Sequence, residues 1–536
     1  MNTLFSQELR KSLLAKYEKL PHAWKKAFLA ALAVNIFVFF FDLAQFPLGD
    51  HDVGYQDGVP LLSGGRSGRW FAPILYLLSG NVQIPVYTQI LAFMGQIAAG
   101  MAAVLLWFPT AGAWLLFVGG VFVSCMPAVT EFYYYHWQAP TFSCAQLFMI
   151  LALHVSLRSN LHNVLKYGIA IGLCTSAMAT YQSSIMTWTV CFWGYALTQC
   201  QNWDGTGAAL RVCCREVLPA LASFLLAGGL YYISLQLYPM VGLSLELYQF
   251  QTTSLCKLPE RFLELAKMAW LHLLVPQGFM SLWLKLLLLA CMACGAICML
   301  CQALHNERKW LRVCLIGSGI LLFPLVAKSQ FLLSASTEWY RYAFLALGLS
   351  YTYLFFVLIL LASHVILVRN VGFVLLLFLF PCMAINCLDQ QVRHVRQVNH
   401  DMAILNRVIG RIEVHPNYQP DKRYNLVQLG SITPYLKDAP SMGVDNPLTK
   451  QTVSQTWNPG FELWLLSKYL LLGDRINEEV STRPELMAKA LEYVHGKAPF
   501  PAKDSIGIIG DTIILYFDRA AVPQAYLRLH ELGAHP

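Results

Sequence analysis

Eleven apolar runs, each long enough to cross a bilayer and separated by polar connections, restrict this chain to one architecture. They lie near residues 27–46, 84–108, 111–129, 139–157, 163–179, 183–200, 217–237, 279–303, 311–328, 343–365 and 370–387. About twenty apolar residues span the hydrocarbon as a helix, the form in which a single segment satisfies all of its own backbone hydrogen bonds. Charged residues make up 13% of the 536, against about a quarter in ordinary globular chains. The expected fold is an all-α polytopic membrane protein with about eleven transmembrane helices.

The net charge of +8 is scattered through short loops and forms no interleaved basic and aromatic patch, which argues against a nucleic-acid partner. Cations recur in alternate loops: Lys11, Lys16, Lys19, Lys25 and Lys26, then residues 158–166, Arg211 and Arg215, residues 308–312, and Arg369. The positive-inside rule assigns these loops and the N-terminus to the cytoplasm. An odd number of crossings puts residues after 387 on the opposite side, together with the loops of Asp52, Glu131, Tyr181, Glu260 and Glu338. The basic N-terminus with its apolar run resembles a signal peptide, but the run is too long and no small-residue cleavage site follows, so it reads as a retained helix. All fifteen cysteines lie at or before Cys387, mostly in or beside apolar runs, and read as small apolar residues.

Two domains are expected: 1–387 in the membrane, and a soluble extracytoplasmic α+β domain at 388–536. Val392, Val395, Val398, Met402, Leu405, Val408 and Ile412 mark an amphipathic helix leaving the membrane. Residues 424–429 and 505–517 read as strands, and 461–472 as a helix. Two outward loops are long. The first contains Arg69-Trp70-Phe71-Ala72-Pro73-Ile74-Leu75-Tyr76 and the second contains residues 258–274; both read as interfacial helices among membrane lipids.

The chemistry-bearing residues crowd into these outward loops. Asp50-His51-Asp52 offers a carboxylate as general base for a weak hydroxyl nucleophile such as a glycosyl acceptor, and oxygen and nitrogen donors for a divalent cation. A solvated loop capping a helix explains the same acids equally well. Arg66 and Arg69, among Gly64, Gly65 and Gly68, provide bidentate donors for a phosphate, or snorkel to headgroups. In Glu131-Phe132-Tyr133-Tyr134-Tyr135-His136-Trp137 the aromatics read as an interfacial belt, while Glu131 and His136 are candidate substrate ligands. Tyr181-Gln182-Ser183-Ser184 supplies neutral polar groups for sugar hydroxyls, with capping and helix packing as the alternative for the serines. Arg341, within Glu338-Trp339-Tyr340-Arg341-Tyr342, is a second phosphate ligand or an interfacial anchor. Cys291, Cys294, Cys298 and Cys301 form a stripe on one helix, not a zinc site.

In order, the acids after the first run, Gly65-Arg66 or Gly68-Arg69, Pro127 to Glu131 with its aromatics, Tyr181-Gln182-Ser183-Ser184, Tyr340-Arg341 and a soluble tail resemble the type-II O-antigen glucosyltransferases. His51 separates acids that are often adjacent in that family, leaving the base open between Asp50 and Asp52. Tyr340 stands where the family pattern has proline. The resemblance implies a GT-C type fold, a polyprenyl-phosphate-linked sugar as donor, commonly of glucose, and a lipid-linked or lipopolysaccharide glycan as acceptor. It also implies a bacterial inner-membrane location with a periplasmic tail. Within it Asp52 is the expected base, assisted by Asp50 or Glu131, with Arg66, Arg69 and Arg341 around the donor phosphate and Glu131, His136, Tyr181 and Gln182 around the sugars. The rivals are a lipid-linked oligosaccharide flippase, expected to place charges inside its spans, and a related O-antigen polymerase or protein or lipid glycosyltransferase.

Overall fold

The computed structural model describes residues 21–45, 68–77, 86–136, 138–201, 213–237, 240, 258–274, 280–304, 309–332, 347–430, 476–477, 483–523 and 525–526. Asp50, Asp52, Arg66, Arg341 and the expected helix at 461–472 lie outside these residues, as does the side chain of Glu131. The described residues form two compact units, divided between Asp389 and Gln390.

The first unit is helical. Its elements are α1 (His22–Val38), α2 (Phe40–Gln45), α3 (Ala72–Tyr76), α4 (Tyr87–Trp107), α5 (Ala113–Ser124), α6 (Pro127–Tyr133), α7 (Ala139–Arg158) and α8 (Asn163–Met178). They continue with α9 (Ile185–Gln201), α10 (Leu218–Gln236), α11 (Leu258–Leu274), α12 (Leu282–Leu304), α13 (Lys309–Val326), α14 (Leu347–Leu361) and the first part of α15 (Ile366–Glu413). Each of the eleven apolar runs falls on helix. Among the described residues, five helices are long and apolar enough to cross a bilayer: Tyr87–Trp107, Ala139–Arg158, Cys214–Gln236, Leu282–Leu304 and Ile366–Arg396. The outer faces of α10 and α15 expose Leu225, Leu226, Leu230, Leu367, Leu377 and Phe378, a surface suited to lipid. The chain is a membrane protein. Every residue of α14 is buried, which makes it the centre of the bundle.

Proline opens several helices. Pro73, Pro127, Pro140 and Pro219 sit in first turns, where the missing N–H breaks no hydrogen bond. This corrects the run at 111–129, which is two helices: α5 stops at Ser124 and Pro127 restarts the chain as α6. The first run is also divided, at Phe39. Helices approach closely where glycines face each other. A Cβ on Gly100 of α4 would lie 2.2 Å from the carbonyl oxygen of Gly119 on α5. Gly100→Val is therefore expected to force the two backbones apart and destabilise the bundle by about 3 kcal/mol, read as a lower unfolding temperature of the detergent-solubilised protein.

The aromatic belt expected after the third run is not at a surface. Phe132, Tyr133 and Tyr134 are buried. Tyr133 stands edge-on to Phe39 at 4.9 Å and to Phe93 at 4.8 Å, and its hydroxyl donates to the Ser124 carbonyl at 2.9 Å. Aromatic rings gain more from such packing than from a headgroup layer once facing helices leave room for them. The segment at 69–76 has one exposed side, with Ile74 and then Leu77, and one side packed on the helices. Ala72, Pro73, Leu75 and Tyr76 of α3 are buried in the bundle, and the Phe71 N–H donates to the Ala179 carbonyl at 2.9 Å.

In the second unit the rest of α15 packs on a four-stranded sheet of order β2-β1-β4-β3: β1 (Tyr424–Leu429), β2 (Ile476–Asn477), β3 (Ile506–Ile509) and β4 (Thr512–Tyr516). β1 pairs in parallel with β2 and β4, while β3 and β4 are antiparallel. The single strand expected at 505–517 is thus a hairpin, turned at Gly510, whose φ of +61° suits glycine. Both faces of the sheet are covered. Leu426, Ile513 and Leu515 meet Leu405, Val408 and Ile412 of α15, whereas Val427, Ile514 and Tyr516 meet Leu486, Ala490 and Leu491 of α16 (Pro484–Val494). The alternation of neighbours such as Leu426 and Val427 follows from the period of two along a strand.

Candidate functional site

Hydrogen bonds sort the helix ends of the first unit. At one end Arg158 donates to the Leu106 carbonyl at 2.9 Å and stacks 5.1 Å from the Tyr195 ring centroid, the Tyr195 hydroxyl bonds Glu216, and Gln201 bonds Gln302. This gathers the C-termini of α4, α7, α9 and α12 with the N-terminus of α10, and all of these but that of α4 adjoin the cationic loops.

The opposite end gathers the candidates. Gly68, at a φ of +71°, lets the chain turn so that Arg69 and Trp70 face α8, α9 and α10. The Tyr231 hydroxyl of α10 donates to the Gly68 carbonyl at 3.2 Å and accepts from Gln182 Nε2 at 2.8 Å. Trp70 Nε1 donates to Ser234 Oγ at 2.9 Å. Arg69 places its guanidinium carbon 5.1 Å from the centroid of the Tyr181 ring, and that ring rests on Phe142 at 4.4 Å and Phe132 at 6.0 Å. Gln182 itself begins a single 3-10 turn, Gln182–Ser184, that leads into α9.

Three motifs more than a hundred residues apart in part thus form one polar cluster: Gly68-Arg69-Trp70, Tyr181-Gln182 and Tyr231-Ser234. Stacking on Tyr181 fixes the plane of the Arg69 guanidinium and so the direction of its N–H fork, the geometry that recognises a carboxylate or phosphate. Gln182 and Tyr231 provide the neutral donors and acceptors that a sugar hydroxyl needs. His136 is fully buried between α6 and α7, and Glu131 lies on α6. Among the described residues, no three His, Cys, Asp or Glu side chains stand together as a metal group.

Tyr231 and Ser234 were not legible as site residues, because both sit within an ordinary apolar run. Charges inside the runs were legible but passed over. Asp42 of α2 is buried and accepts a hydrogen bond from Gln89 Nε2 of α4. Lys285 of α12 and Lys328, just past α13, are each 1% exposed. The candidate charges were expected to crowd into loops at one face; Asp42, Lys285 and Lys328 lie inside the bundle as well. Ionisable groups are costly at such depth and mark function when they occur.

A family model for the glucosyl transferase GtrII matches residues 56–361, more than half of the chain. The chain belongs to this family. It is a glucosyltransferase, an enzyme that moves a glucosyl group from a sugar donor to an acceptor. The matched residues contain the whole cluster of Arg69, Tyr181, Gln182 and Tyr231, as well as Arg66, Glu131, His136 and Arg341. No curated protein and no solved structure matches the glucosyltransferase.

Proposed function

We propose that this glucosyltransferase takes glucose from a polyprenyl-phosphate carrier and adds it to an O-antigen or lipopolysaccharide glycan at the extracytoplasmic face of a bacterial inner membrane, within a GT-C type fold. The observation that carries this reading is the stacking of Arg69 on Tyr181 beside Gln182 at the end of the bundle opposite the cationic loops. By the positive-inside rule the cationic end faces the cytoplasm, so the cluster opens to the other side. Sugars carried there need a lipid phosphate in place of a soluble nucleotide, and a guanidinium fork is suited to hold that phosphate as it leaves the anomeric carbon.

In this reading Asp52 is the base that removes the acceptor proton, with Asp50 or Glu131 assisting. Arg66, Arg69 and Arg341 surround the donor phosphate, and His136, Tyr181 and Gln182 line the sugar positions. The tail at 388–536 lies in the periplasm, and a divalent cation is open as a helper at Asp50 and Asp52. Glycan mass spectrometry of cells with and without the gene tests the whole reading, with an increment of one hexose per repeat unit as the expected result. The buried Asp42, Lys285 and Lys328 fit the charge placement of a lipid carrier flippase. Movement of labelled lipid across the membrane with no new glycosidic bond is the outcome that favours that alternative.

A further inference from the structure

Arg69 is held between two fastenings to one helix. The Tyr231 hydroxyl of α10 donates to the carbonyl of Gly68, the residue before Arg69, at 3.2 Å. The indole N–H of Trp70, the residue after it, donates to Ser234 Oγ at 2.9 Å. Tyr231 and Ser234 stand 3 residues apart on α10, the spacing at which helical side chains share a face. Ser234 in turn donates to the Tyr231 carbonyl at 2.6 Å. An indole nitrogen is a donor only, so the serine proton goes to that carbonyl and its oxygen is turned to accept from Trp70. A third tether, from the Phe71 N–H to the Ala179 carbonyl at 2.9 Å, fixes the segment to the end of α8.

The contacts close into a ring. From Arg69 the backbone leads to Gly68, whose carbonyl takes the Tyr231 proton, and Tyr231 accepts from Gln182 Nε2 at 2.8 Å. Gln182 adjoins Tyr181, and the Tyr181 ring lies against the Arg69 guanidinium with its centroid 5.1 Å away. Tyr231 is buried, and its single proton is committed to Gly68. The hydroxyl therefore works within the protein, tying the segment that carries the guanidinium to the turn that carries the ring beside it. Neighbouring hydrogen bonds away from water reinforce one another and define one arrangement.

We propose that Tyr231, with Ser234 and Trp70, is a positioning residue for glucosyl transfer: the clasp on α10 sets the aim of the Arg69 fork at the donor phosphate. The inference rests on the proposed function through Arg69 as the phosphate ligand. A phosphodiester donor gains negative charge on its phosphate as it departs as a monoester. The direction of the fork thus counts for more while the anomeric bond breaks than in the bound donor. Loosening the clasp is expected to lower kcat and to leave the donor KM nearly unchanged.

A double-mutant cycle on the full chain tests this in two settings: membranes supplied with polyprenyl-phosphate glucose, and cells whose glycan is read for added hexose by mass spectrometry. Tyr231→Phe keeps the ring and removes the hydroxyl. It is expected to lower kcat about tenfold, inside the roughly hundredfold that a misplacement of about 1 Å can cost, with donor KM within about twofold of wild type. In the Arg69→Met background the same change is expected to cost less than about twofold, because no fork is left to aim. Ser234→Ala is expected to show a smaller loss with the same dependence on Arg69, and it stands in should Tyr231→Phe fail to fold. Losses that multiply, with the prenyl donor still used, overturn the clasp and leave the donor reading standing. A raised donor KM at unchanged kcat makes Tyr231 a direct binding group and overturns it too. Arg69→Met at wild-type activity overturns the clasp together with the phosphate role. Membranes that fail to use the prenyl donor, while cells add hexose in the pattern of the cycle, sink that donor and uphold the clasp.

Discussion

Arg69→Met is expected to lower glucosyl transfer about ten- to a hundredfold in membranes supplied with polyprenyl-phosphate glucose. Hydrogen bonds to a charged group contribute about 1.5–3 kcal/mol each, and methionine keeps the length of the side chain while removing its fork. The Tyr181 ring stays in place on Phe142 and Phe132, so the helices are expected to keep their packing. Arg69→Lys should rescue little, because a point charge does not stack or chelate as a planar guanidinium does. The loss should be visible in kcat/KM for the donor at unchanged protein level. Activity within twofold of wild type in Arg69→Met removes Arg69 from the phosphate role.

The second large effect is proposed for Asp52→Asn. A positioned general base contributes about a hundredfold to ten-thousandfold, and asparagine keeps the shape while losing the capacity to accept a proton. Transfer should fall by about three orders of magnitude, with a smaller loss in Asp50→Asn. The reverse order of the two losses would assign the base to Asp50. Both residues precede the matched family residues, which begin at 56, so this pair of variants also measures whether the chemistry starts before that boundary. Hexose transfer in washed membranes is the measurement for both variants, with immunoblotting as the control for protein level.

Much of the membrane unit was legible because hydrophobic length is a local property. Every apolar run is mostly helix over its described residues, since a helix satisfies its own backbone hydrogen bonds. The period of Leu405, Val408 and Ile412 likewise showed the face that α15 buries against the sheet. The hairpin at Gly510 was missed because a continuous β-rich stretch carries the same composition whether or not it turns, and one glycine decides the difference. The aromatics at 132–134 were misplaced because composition does not distinguish a ring facing headgroups from a ring facing Phe39 and Phe93.

For the site, local sequence determined which residue types stand at helix ends: Arg69 beside glycine, and Tyr181 and Gln182 at a break between two runs. Tertiary structure alone decided that these meet one another and meet Tyr231, and that Lys285 lies beside Tyr353. Those partners come from helices between 49 and 163 residues away. A contact of that span depends on how whole helices cross, which is set by packing across the bundle, such as Gly100 against Gly119, and leaves no trace in the spacing of the residues that finally touch.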